Sequence, residues 1–172
     1  MDKGKKLLII LLVLITVAAL AIAAWALFFR NSGPALTPDY APQETEGNAE
    51  TLPSDDGNKL ESPEGGGAVS LSYAKEVTID LSDAVANLYF ANPGRSNQDM
   101  VLQLVVQEQI LLQSGKLTPG HQVTKLDLLD GAEKMLSPGI YEGKFVVLYY
   151  NQETGEKAVV NTDIPVKITV AE

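Results

Sequence analysis

Ile140-Tyr141-Glu142-Gly143-Lys144-Phe145-Val146-Val147-Leu148-Tyr149-Tyr150-Asn151 is the stretch that decides the fold class. Successive side chains on an extended strand point to opposite faces. Tyr141, Gly143, Phe145, Val147 and Tyr149 therefore share one face, and Glu142, Lys144, Val146, Leu148 and Tyr150 share the other. The first set carries the larger uninterrupted apolar surface and is the expected core face. The second begins with charge and ends apolar, which is unusual for a side meant for water.

Working outward, residues 68–172 read as short runs of β-formers separated by turn signals, with no helical periodicity longer than about one turn. Strands are expected over 69–73, 76–81, 85–91, 100–106, 109–113, 123–128, 140–151 and 157–170, the last interrupted by Pro165. Asn92-Pro93-Gly94, Thr118-Pro119-Gly120 and Ser137-Pro138-Gly139 punctuate them. Pro presets the first φ of a type II turn and Gly accepts the positive second one. Met100, Leu102, Leu104 and Val106, then Leu88 and Phe90, then Val166, Ile168 and Val170 supply matching inward sets. Seven or eight strands in a segment of this length predict an all-β, two-sheet sandwich, and no internal repeat divides it.

Leu136-Ser137-Pro138-Gly139-Ile140-Tyr141 resembles the Leu-x-Pro-Gly-x-Tyr corner of fibronectin type III and related immunoglobulin-like domains. The resemblance implies an immunoglobulin-like sandwich in which Leu136, Gly139 and Tyr141 form a structural tyrosine corner. The Tyr141 hydroxyl would bond the backbone of the preceding turn. Together with Leu117-Thr118-Pro119-Gly120, the corner also looks like bacterial surface-protein sandwich modules. The chain departs from the family pattern in having no Trp within 68–172 and no Cys anywhere.

The amino-terminal region has a different character. From Leu7 to Phe29 there are 23 residues without a charge, and Thr16 is the only polar one. At about 1.5 Å per residue such a run crosses a hydrocarbon core of roughly 30 Å. Lys3, Lys5 and Lys6 precede it and Arg30 stands alone after it, so the amino terminus is expected in the cytoplasm and the remainder outside. Residues 1–30 thus read as a cytoplasmic stub and signal-anchor helix. Cleavage after Ala23 or Ala26 is the alternative, since Ala21-Ile22-Ala23 and Ala24-Trp25-Ala26 both fit a small-x-small site. Residues 31–67 carry five prolines, a Gly65-Gly66-Gly67 run and eight acidic residues against Lys59, a net charge of minus seven. That composition predicts a disordered, extended spacer.

Chemistry is sparse. His121 is the single histidine, placed beside the Pro119-Gly120 turn as a solvated loop residue, and no catalytic set or cofactor is expected. Asp80 with Asp83, and Asp127 with Asp130 and Glu133, lack the dense calcium-loop spacing and read as turn caps or solvated carboxylates. Nucleic acid is disfavoured, because residues 68–172 hold eight Lys and Arg against thirteen Asp and Glu, a net charge of minus five. The candidate partner-binding patch is the apolar outward set Val101, Val105, Val146, Leu148 and Tyr150. Coverage by another strand or loop, or simple cross-strand stabilisation, explains the same residues. The expected function is a non-catalytic module at the cell membrane that binds or scaffolds a surface protein. A cell-wall or glycan-binding module is the alternative, and a hydrolase or transferase with an unrecognised site is a third.

Overall fold

The computed structural model describes residues 4–5, 12–19, 37–53, 57–62, 64 and 66–172. The chain divides into two compact units, Met1–Leu36 and Thr37–Glu172. In the first, residues 12–19 are α-helical, with the Thr16 hydroxyl donating to the Leu12 carbonyl at 2.9 Å. Among the described residues no helix is long and apolar enough to cross a membrane. Most of the anchor expected over 7–29 lies outside the described residues.

The second unit is mostly β. Its strands are β1 (Glu50–Thr51), β2 (Ser72–Tyr73), β3 (Glu76–Asp80), β4 (Val85–Asn92), β5 (Gln98–Val106), β6 (Gln109–Gln113), β7 (His121–Asp127), β8 (Gly139–Asn151) and β9 (Lys157–Ala171). A short 3-10 turn, Ala132–Met135, lies between β7 and β8. The strands are hydrogen-bonded in the order β1-β7-β4-β3-β9-β8-β5-β6, with β2 added beside β4. Every pairing is antiparallel except β3 with β9, which runs parallel from Glu76 opposite Lys167 to Asp80 opposite Ala171. Two separately bonded sheets were expected, whereas the ladder is continuous, because β3 pairs with β4 on one side and β9 on the other.

The sheet curls so that both arms face one core. Phe90 of β4 meets Phe145 of β8 edge to face, ring centroids 6.3 Å apart. Aromatic pairs at this spacing add roughly 0.5–1.5 kcal/mol beyond their buried area. Phe145, Val147 and Tyr149 are buried in that core together with Met100, Leu102, Leu104, Leu88, Val166, Ile168 and Val170, as the alternation predicts. Tyr141 packs against it, and its hydroxyl both accepts from the Ser137 N–H at 3.2 Å and donates to the Ser137 carbonyl at 3.0 Å.

Pro165 does not interrupt β9. Lys167 donates its N–H to the Lys75 carbonyl, away from β8, so the nitrogen of residue 165 faces the same way and no bond to β8 is lost. Among the described residues no strand pairs with that side of β9 between positions 158 and 166. Gly120 takes φ of 82°, as the turn beside it requires, but Gly94 has no positive φ. The β5–β6 hairpin instead turns through Gln107 and Glu108, at φ 49° and 63°. Two consecutive left-handed residues form a type I′ turn, for which Asn-Gly is the preferred pair. Replacing Gln107→Asn together with Glu108→Gly is expected to stabilise the domain by about 1–2 kcal/mol. A urea midpoint that fails to rise in the double variant would contradict this account of the turn.

Candidate functional site

β5 and β8 set the outward face. Val101 stands opposite Leu148, Gln103 opposite Val146, Asp99 opposite Tyr150 and Val105 opposite Lys144. Val101, Leu148 and Tyr150 form an apolar cluster separate from the main core, with Val146 at its margin. Val105 is buried farther along β5, beside a shallow hollow of about 330 Å3 shared with Glu108, Lys144 and Pro165. Three of the five residues expected to form a patch are thus brought together, a fourth borders them, and Val105 stands apart.

This patch is covered. Val101, Leu148 and Tyr150 are each 0% exposed, and Ala41 packs on them. The Tyr150 phenol donates to the Pro38 carbonyl at 3.1 Å. Residues 37–53, expected to belong to a disordered spacer, are instead ordered as a strap. At its first attachment Lys157 donates its N–H to the Asp39 carbonyl at 2.8 Å, and Ala41 donates to Gly155 at 2.7 Å. At the second, the Glu46 N–H donates to the Lys116 carbonyl at 2.9 Å, the Lys116 N–H donates to the Glu44 carbonyl at 3.1 Å, and the Glu46 carboxylate accepts the Gly115 N–H at 2.6 Å. At the third, Glu50 and Thr51 pair with Gln122 and His121, and Leu52 donates to Gly120.

The physical reason for the difference is that the strap buries little surface of its own. Its order comes from backbone groups meeting backbone groups, and from large side chains that the sheet supplies beneath it. Segment composition is blind to both.

Burial raises the pKa of the Tyr150 phenol, and the nearby Asp39 carboxylate adds to the rise. Burial likewise raises that of Tyr149, opposed by its 2.6 Å hydrogen bond with Thr162. Both shifts favour the protonated phenol, whose ordinary value is 10.0.

The apolar side chains left open lie elsewhere. Between the Leu148–Asn161 and Tyr150–Lys157 pairs, β9 takes four steps against two on β8, which makes a bulge. The bulge turns Val159 fully outward, at 103% exposure, and leaves Val160 at 68%. Val159 adjoins a hollow of about 510 Å3 with Asp39, Tyr40, Glu156 and Lys157. Val160 lines a groove of about 540 Å3 with Gly67, Val69, Gln98, Tyr149 and Thr162. Sequence reasoning placed 157–170 as one strand and missed this site, since only the register reveals the two extra residues.

His121 and Asp80 make local hydrogen bonds. His121 opens β7 rather than a loop, and its Nδ1 lies 3.0 Å from the Thr118 hydroxyl and 3.2 Å from the Pro119 carbonyl. The Asp80 carboxylate accepts from the N–H groups of Ser82 and Asp83 and from the Ser82 hydroxyl, a turn cap that lowers its pKa. Among the described residues no group of three His, Cys, Asp or Glu side chains is placed to hold a metal ion.

The tyrosine shifts generate a prediction. A phenol whose folded pKa exceeds its unfolded one stabilises fully below the unfolded value and loses that contribution as pH rises through the folded value. The urea midpoint is expected to hold from neutral pH to about pH 10 and then fall, with a shallower fall in Tyr150→Phe. An alkaline fall unchanged from wild type in both Tyr149→Phe and Tyr150→Phe would remove these phenols as its cause. In comparison with known proteins, no protein-family model and no curated protein matches the chain.

Proposed function

We propose that the chain is a single-pass membrane protein displaying a non-catalytic, immunoglobulin-like β-sandwich outside the cell, where it holds another protein through the exposed end of the β8–β9 hairpin. The anchoring reading rests on the uncharged run from Leu7 to Phe29 and on Lys3, Lys5 and Lys6 before it. Leu12, Val13, Leu14, Ile15 and Val17 are helical and more than half exposed, an apolar surface that suits lipid.

The sandwich reading is supported by strand order. β3, β4 and β7 make one arm and β9, β8, β5 and β6 the other, which parallels the ABE and GFC arrangement of immunoglobulin-like domains. The Tyr141–Ser137 bonds have the form of a tyrosine corner.

The observation that carries the binding reading is the Val159–Val160 bulge. Two adjacent β-branched side chains stand open above a groove, which is where a protein partner gains most from desolvation. The earlier patch of Val101, Leu148 and Tyr150 no longer supports docking, because the strap occupies it. A glycan-binding reading has one favourable observation. Tyr40 is 61% exposed and shares its hollow with Asp39, Glu156 and Lys157, an aromatic plane beside polar groups.

A photocrosslinker at position 159 is expected to capture a membrane or surface protein in intact cells. Val160→Asp should reduce capture at least tenfold while changing stability by no more than about 0.5 kcal/mol, since the site is on the surface. Capture unaffected by Val160→Asp would sink the protein-docking reading. Loss of wall retention in Tyr40→Ala, with Val160→Asp silent, would favour the glycan. For topology, protease added outside intact cells should remove residues 31–172 from the membrane, and complete protection would overturn the orientation.

A further inference from the structure

The strap and the sheet it covers are unequal partners. Beneath it lie three wholly buried large side chains, Val101, Leu148 and Tyr150. From the strap Ala41 packs on them, and Tyr40, Gln43, Glu44 and Thr45 are exposed. Its first two attachments consist of four backbone bonds, the Tyr150–Pro38 bond and the Glu46–Gly115 bond. Segments with few buried apolar contacts and exposed hydrogen bonds open at free energies well below that of global unfolding.

A second feature is the closeness of the fit at Gly115. Gly115 approaches the strap so closely that a Cβ built there would lie 2.9 Å from both the Cα and the N of Glu46. The attachment at Glu46 therefore holds only when the strap backbone lies flat on the β6–β7 connection. Only four residues separate Ala41 of the first attachment from Glu46 of the second.

We infer that residues 37–46 are a releasable strap that leaves the sheet as one cooperative unit, uncovering Val101, Leu148 and Tyr150 and paying out extra chain. Release frees ten residues, roughly 33–36 Å of extended backbone. The consequence for reach rests on the membrane-anchored reading above, whereas release itself does not. The domain then has two discrete tether lengths, and its second apolar strip is available only in the longer state.

Native-state hydrogen exchange on the full chain tests this. The amides of Ala41, Glu46, Lys116 and Lys157 are expected to share one protection factor, at least about 100-fold below those of Leu102 and Val147. Tyr150→Phe removes a bond at the first attachment and Gly115→Ala disturbs the second. Each should speed exchange of all four of these amides, by about fivefold for the lost phenol bond, and leave Val147 unchanged. Oxidation of a Tyr40→Cys, Glu156→Cys pair, in a chain with no other Cys, should suppress that exchange.

Strap amides protected as strongly as Leu102 would overturn the inference. So would Tyr150→Phe and Gly115→Ala each affecting only its own attachment. Neither result bears on whether residues 7–29 span a membrane, which the protease experiment decides separately.

Discussion

The parallel pairing of β3 with β9 is the constraint on which the rest of the domain depends. β3 is five residues long, yet it bonds β4 on one side and β9 on the other. It thereby turns two antiparallel arms into one ladder. With that link in place the sheet must curl, because its apolar face carries Phe90 on one arm and Phe145 on the other. Parallel pairing also brings Lys167 onto Lys75, which fixes the edge on which Pro165 falls. Position along β9 then determines where the bulge at Val159 and Val160 emerges.

Period-two alternation made much of this legible. The inward sets of β4, β5, β8 and β9 all reached the core, because a strand with one buried face has its register enforced by every second side chain. The β6 limits were equally readable, and so was the bond of the Tyr141 hydroxyl to the turn before it, because Leu136 to Tyr141 combines a turn with a phenol in need of a partner. The place of the β5–β6 turn was readable, but its backbone geometry was not. Gln107 and Glu108 carry no turn signature, and their left-handed backbone is imposed by pairing on either side. Joining of the arms was likewise hidden, since whether one strand serves two neighbours is a property of tertiary placement.

The candidate site was legible in part. Alternation singled out Val146, Leu148 and Tyr150 as too apolar for water, and that chemistry is real, because the same side chains order the strap. What failed was the reasoning about residues 37–53. Their proline and carboxylate content argues for disorder only when the segment must supply its own burial. Here Tyr150 needs an acceptor and Pro38 offers one, while Gly115 needs an acceptor and Glu46 offers one. Complementarity between distant segments leaves no trace in the composition of either.

The open side of β9 has a consequence for crowding. Wherever copies of a domain meet at high local density, an unpaired strand edge invites lateral accretion into fibres or patches. On this edge Pro165 withholds a donor, and the bulge at Val159 and Val160 breaks the even spacing that a neighbouring strand would have to match. The domain can therefore present apolar side chains at that end without offering its backbone, which keeps contact through side chains separate from aggregation through the sheet.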